Sequence, residues 1–77
     1  MNRAEFYLEL EELLELRKGT LGGNEALETI QEWDSVAVIS FLALVDGKYG
    51  RTLEPKKIQA CQTVNDLALL IENTQPD

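Results

Sequence analysis

Hydrophobic residues recur along this chain at helical spacing and nowhere alternate in the manner of a strand. Phe6, Leu10, Leu13 and Leu14, followed by Arg17, mark a first amphipathic segment, with Asn2 before it as an N-cap and Glu5 three residues on. Gly19 is the natural stop. The connection from Gly19 to Trp33 is long for a small domain; it holds Gly22-Gly23-Asn24, then a weakly helical Glu25 to Ile30, and Leu21, Leu27, Ile30 and Trp33 are the side chains expected to pin it. A second helix is predicted from Ser35 to Tyr49, capped by Asp34 and ended by Gly50. Glu54-Pro55 opens a short third helix with proline at its first position, anchored by Leu53 and Ile58. Thr63 with Asp66 is a capping-box-like start for a last helix, whose stripe is Val64, Leu67, Ala68, Leu70 and Ile71, and the tail Asn73 to Asp77 is expected to fray. The predicted fold is therefore all-α: a small four-helix bundle, three longer helices and one short, with a long loop between the first two.

On the second helix the pattern has two sides. At about 100° per residue, Val38, Phe41, Leu42, Val45 and Tyr49 gather on one face, the expected core face. Val36, Ser40, Ala43 and Gly47 gather on the other. That second face is small and uncharged where a surface helix usually carries Lys and Glu, and Gly47 within a helix costs about 1 kcal/mol relative to alanine. A flat contact surface explains it, and so does neutral drift on a solvent face.

Composition tightens this reading. A chain of 77 residues has room for one domain, spanning 1–77, and a 44% apolar fraction supports a packed core despite a net charge of −7. Residues 1–34 hold nine acids against three bases and residues 35–77 five against four, so the acidity belongs to the first half. Such a surface repels nucleic acid and anionic membranes and steers the chain toward basic partners. Glu9, Glu11, Glu12 and Glu15 read as a solvated face. No segment is apolar for long enough to span a bilayer, the first residues carry no secretory h-region, and Cys61 has no partner for an internal disulfide. A monomeric cytoplasmic domain is expected.

Candidate chemistry is sparse. The chain has no histidine, which removes imidazole-activated serine or cysteine catalysis and most zinc sites. Gly22-Gly23 lacks the context of a phosphate loop, the acids do not alternate as an EF-hand requires, and Cys61 reads as a small core residue. No metal site and no enzyme activity are expected. What remains is Asp34-Ser35-Val36, a serine at the electropositive start of a helix, where a phosphate ester is favoured.

Ile30-Gln31-Glu32-Trp33-Asp34-Ser35-Val36, the helix ending Asp46-Gly47-Lys48-Tyr49-Gly50, and Thr63-Val64-Asn65-Asp66-Leu67 together resemble the acyl carrier protein family over nearly the whole chain. The resemblance implies that Ser35 carries 4′-phosphopantetheine, donated from coenzyme A by a phosphopantetheinyl transferase, and that Asp34 is the acid that precedes it. It further implies acyl cargo held as thioesters and presented to loading and processing enzymes of fatty acid, specialised lipid or polyketide synthesis. Aminoacyl, peptidyl and D-alanyl carriers share much of the pattern, and an unmodified interaction module of the same fold is a further alternative. The family docks partners on the exposed side of its second helix, which here is Val36, Ser40, Ala43 and Gly47. Ser40, Ala43 and Gly47 replace common glutamates or methionine, and Lys56 and Lys57 stand where acids are usual in the third helix. These departures imply a specialised carrier whose partners dock through small apolar contacts. Were cargo sequestered, Ile39, Phe41, Val45, Ile58 and Leu67 would line the cavity, although core packing is their ordinary role.

Overall fold

Asn2 begins the first helix in the computed structural model, which describes all 77 residues: its side chain accepts from the Glu5 N–H at 3.1 Å, and α1 runs Arg3–Leu13. The end comes earlier than Gly19. Glu15 takes a left-handed φ of 58°, the Leu16 N–H bonds the Glu11 carbonyl at 2.8 Å, and the Glu15 N–H bonds the Glu12 carbonyl at 3.2 Å. This is a Schellman closure with glutamate where glycine is usual, so Arg17 lies outside the helix.

The chain from there to residue 34 contains one short 3₁₀ turn, Leu27–Thr29, in place of the longer helical stretch over Glu25 to Ile30. Leu21 and Leu27 are buried, and Ile30 and Trp33 pack against the core. Backbone bonds then tie the loop to the far end of the fold. Leu27 N–H reaches the Gln62 carbonyl at 2.8 Å, Asn65 N–H the Gly23 carbonyl at 2.8 Å, and Ala26 and Thr63 form an isolated antiparallel bridge.

Asp34 caps α2, Ser35–Leu44, by accepting from the Ala37 N–H at 2.8 Å. Beyond it the winding loosens into a π turn, Val45–Tyr49, before Gly50 stops it at φ 64°. Lys48 pairs with Glu9, and the Tyr49 hydroxyl donates to the Glu9 carboxylate at 2.7 Å, so the π segment is tied to α1. Burial and that carboxylate push the Tyr49 hydroxyl pKa upward.

The short α3, Pro55–Ala60, follows its proline start as expected, and α4, Val64–Asn73, carries both halves of the Thr63/Asp66 capping box. The Gln62 and Thr63 N–H groups, which donate to Asp66, hold its carboxyl below the usual range. The terminal segment expected to fray lies against the chain. Arg51 Nε donates to the Thr74 carbonyl at 2.8 Å, Asp77 N–H to the Gly50 carbonyl at 2.8 Å, and the Thr52 hydroxyl to Asp77 at 2.7 Å.

Four helices and no named strand make the fold all-α. Phe6, Phe41, Leu10, Leu67, Ile71, Val45 and Val64 are fully buried at its centre. Packing is tight for the length: a Cα radius of gyration of 11.2 Å matches the about 11.5 Å expected of a compact chain this long. No helix is long and apolar enough to cross a membrane.

Candidate functional site

Two layers of packing place Ser35. Trp33, two residues before it, meets Phe41 edge-on with centroids 5.5 Å apart, and Phe41 meets Phe6 of α1 at 6.2 Å in the same manner. The aromatic chain fixes the end of the long loop to both helices, each such contact contributing about 0.5–1.5 kcal/mol beyond burial. Asp34 then turns the chain into α2. Its backbone carbonyl accepts from Val38 N–H at 3.0 Å while its side chain takes Ala37 N–H, which leaves the N–H groups of Ser35 and Val36 without protein partners.

Ser35 is exposed at that start, and Asp34 beside it is exposed as well. The two free N–H groups and the helix dipole favour an anion on the serine oxygen by about 0.3–1 kcal/mol, while the Asp34 carboxylate opposes it. With no histidine in the chain there is no imidazole to activate Ser35. Chemically it is a hydroxyl available to an incoming reagent rather than a built nucleophile. No group of three or more Cys, Asp and Glu side chains is arranged to hold a metal ion.

Val36, Ser40, Ala43 and Gly47 are all exposed, as the helical spacing indicated. Lys56 and Lys57 sit on α3, both exposed; Lys57 lies 3.9 Å from Glu54, and no hydrogen bond or ion pair joins either lysine to α2. The core face is shifted by one position. Ala37, Phe41 and Val45 are buried, whereas Val38, Leu42 and Tyr49 are only half-buried. Ile39, expected among core or cavity-lining residues, is 67% exposed, and with Val36 at 68% it makes an apolar pair around Ser35. One turn of helix separates Ile39 from Ser35, a relation visible in the sequence once Ala37 rather than Val38 is taken as the centre of the buried stripe. The other lining candidates, Phe41, Val45, Ile58 and Leu67, are buried in the shared core. A surface cavity of about 340 Å³ lies alongside α2, lined by Leu42, Ala43, Asp46, Thr52, Leu53 and Pro55.

The acidic face of α1 is not uniformly solvated. Glu11 is 2% exposed: one carboxylate oxygen accepts the Leu21 N–H at 2.8 Å and the other is buried without a partner. Glu9 is half-buried between Lys48 and Tyr49, so of the four glutamates read as a solvated face only Glu12 and Glu15 are exposed. Both corrections have one cause: the loop and the π turn run over the side of α1 that charge alone assigned to solvent. Cys61 is half-buried at the core edge rather than within it; its thiol donates to the Lys57 carbonyl at 3.3 Å, and burial pushes its pKa up. No protein-family model, curated protein or solved structure matches this chain.

Proposed function

We propose that this chain is a carrier of the acyl carrier protein type, in which Ser35 receives 4′-phosphopantetheine from coenzyme A through a separate transferase. The observation that carries the reading is the exposed serine hydroxyl at the first position of α2, set by an aspartate cap and held in place by the Trp33–Phe41–Phe6 contacts. When bound, the group supplies a thiol on which an acyl chain travels as a thioester.

The residues present fit it. The N–H groups of Ser35 and Val36 are free to meet a phosphodiester, and Ser35 is exposed at the helix start, which suits attachment of a long arm. A tethered thioester reaches a docked enzyme at an effective concentration of roughly millimolar order, so weak docking suffices. Partners on this reading are the transferase and acyl-loading and acyl-processing enzymes of lipid or polyketide synthesis.

Mass spectrometry after incubation with coenzyme A and a broad-specificity phosphopantetheinyl transferase tests the proposal. One phosphopantetheine should appear on the wild-type chain and none on Ser35→Ala. A wild-type chain that stays unmodified, or a modification that survives Ser35→Ala, overturns it.

A further inference from the structure

The rest of the chain covers α1 along two edges and leaves a strip between them. At one edge Leu21 of the long loop bonds Glu11, and at the other Lys48 and Tyr49 of the π turn hold Glu9. Between these edges Ala4, Glu5, Leu8 and Glu12 are all exposed, and spacings of three and four residues make them neighbours on one side of the helix. Leu8, at 46%, is among the few large hydrophobic residues left in water. Beside it lies a depression of about 450 Å³, lined by Leu8, Glu11, Glu12, Leu16 and Lys18. All five belong to α1 and the turn after it, so the far wall is missing and a small molecule would not be enclosed.

The charge there is one-sided. Glu11 is 2% exposed; one carboxylate oxygen takes the Leu21 N–H, the other is buried without a partner, and no ion pair neutralises it. Salt screens so buried a charge weakly. Glu5 and Glu12 add exposed carboxylates along the strip. Of the three bases in residues 1–34, Arg3 is paired with Glu72, and Arg17 and Lys18 come after the helix, exposed and without an ion pair. No bond therefore holds Lys18 over the depression.

We propose that this side of α1 is an interaction surface for a basic amphipathic helix of a partner protein, which seats an apolar side chain between Leu8 and Leu16 and sets its lysines or arginines against Glu5, Glu11 and Glu12. The arriving helix supplies the missing wall, and its cations meet carboxylates rather than bare apolar surface. A second copy of this chain, with its own net charge of −7, brings the wrong sign, as do nucleic acid and an anionic lipid surface. The depression shares no lining residue with the one beside Ser35, which is formed by Leu13, Leu14, Glu15, Glu32, Asp34, Val36, Ala37 and Ser40. This surface is thus separate from the candidate site and owes nothing to the carrier reading.

The test is titration of the chain with a synthetic helical peptide carrying a leucine seam flanked by lysine and arginine, and with a scrambled peptide of the same composition. Calorimetry gives the affinity and amide shifts give the location. Shifts should gather at Ala4, Leu8, Glu12 and Leu16 and leave Ser35 and Val36 unmoved. Leu8→Ser should weaken the Kd about tenfold, as losing one apolar anchor does. Glu11→Gln, which keeps an acceptor for Leu21 but removes the charge, should weaken it about threefold. Leu69→Ser, at an exposed leucine on α4, should match the wild type. Circular dichroism should be the same for Leu8→Ser and wild type, which separates a lost contact from a lost fold.

Equal affinity for the scrambled peptide reduces the effect to net charge and overturns the proposal, as does no binding of the designed peptide. Shifts centred on α2, or equal affinity in wild type and Leu8→Ser, also overturn it. A wild-type chain that dimerises in sedimentation and becomes monomeric on Leu8→Ser makes a second copy the occupant. Binding to anionic phospholipid vesicles that Leu8→Ser abolishes makes it a membrane, and either result sinks the proposal.

Discussion

On α1 a glutamate, Glu11, is 2% exposed, and on α2 an isoleucine, Ile39, is 67% exposed. Each is the reverse of what its side chain prefers in water. Glu11 lies next to Leu10 on a helix that the long loop crosses, and the loop brings an N–H from Leu21 that needs an acceptor. Ile39 lies on the side of α2 that nothing crosses. The comparison teaches that in so small a domain the path of the connections, more than hydropathy, decides what is buried. It also separates two kinds of cost, one that ties a loop to a helix and one that leaves an apolar side chain in water.

The sharpest break in that comparison lies within α2 itself. Phe41, two residues beyond Ile39, is fully buried and touches Phe6 and Trp33. Phe41→Ala should therefore lower unfolding stability by about 3–5 kcal/mol, and Ile39→Ala by no more than about 0.5 kcal/mol, both read from urea midpoints. Equal losses would mean that Ile39 is not the free surface residue described.

Next in size is the α1 side. Glu11→Ala strands the Leu21 N–H and should cost about 1–3 kcal/mol, while Glu11→Gln keeps an acceptor and should cost less. Faster amide exchange at Leu21 in Glu11→Ala would show that the loss sits in the loop. An unchanged exchange rate there would disconnect the carboxylate from the loop.

Glu15→Gly should go the other way. Glutamate at φ 58° carries the steric cost of the left-handed region, so glycine should raise stability by about 1 kcal/mol. A decrease would show that the Glu15 side chain contributes something its exposure does not suggest.

The smallest effect is acid sensitivity of the loop. The N–H groups of Gly22 and Gly23, at 2.8 and 2.9 Å, hold the Glu25 carboxyl below its usual range. A folded-state pKa below the unfolded one means this contribution is complete above the ordinary carboxylate range and is lost as pH falls through the lowered value. Unfolding titrations should accordingly show stability declining on acidification, with a shallower decline in Glu25→Gln. Identical slopes would remove Glu25 from the acid response.

Most of the helical order could be read from short-range chemistry. Asn2, Asp34, Gly50, Pro55 and the Thr63/Asp66 box each declare a helix end within a few residues, and each does what its local geometry favours. The failures lie where distant segments decide. The end of α1 at Leu13 depends on a turn closed by a residue that normally avoids that conformation. The π turn depends on Glu9, forty residues from Tyr49, and its loosened winding cannot be seen in a wheel drawn at constant pitch. At the candidate site, Ser35, Asp34 and the exposed small face followed from helix phase, but Ile39 did not: a phase error of one residue moved it from surface to core. The burial of Glu11 had no sequence signal at all, since nothing in a run of acids marks the one a loop will cover.

Gly23 links the ends of this molecule in a different sense. Its φ is 108°, and a Cβ there would collide with the Tyr7 hydroxyl and the Asn65 side chain, which hydrogen-bond to each other across it. Three positions spread over most of the chain thus form one unit. A side chain at residue 23 would have to push both the Tyr7 hydroxyl and the Asn65 carboxamide aside and take up a strained φ as well, so the bond that joins the first helix to the last depends on the one residue that has no side chain.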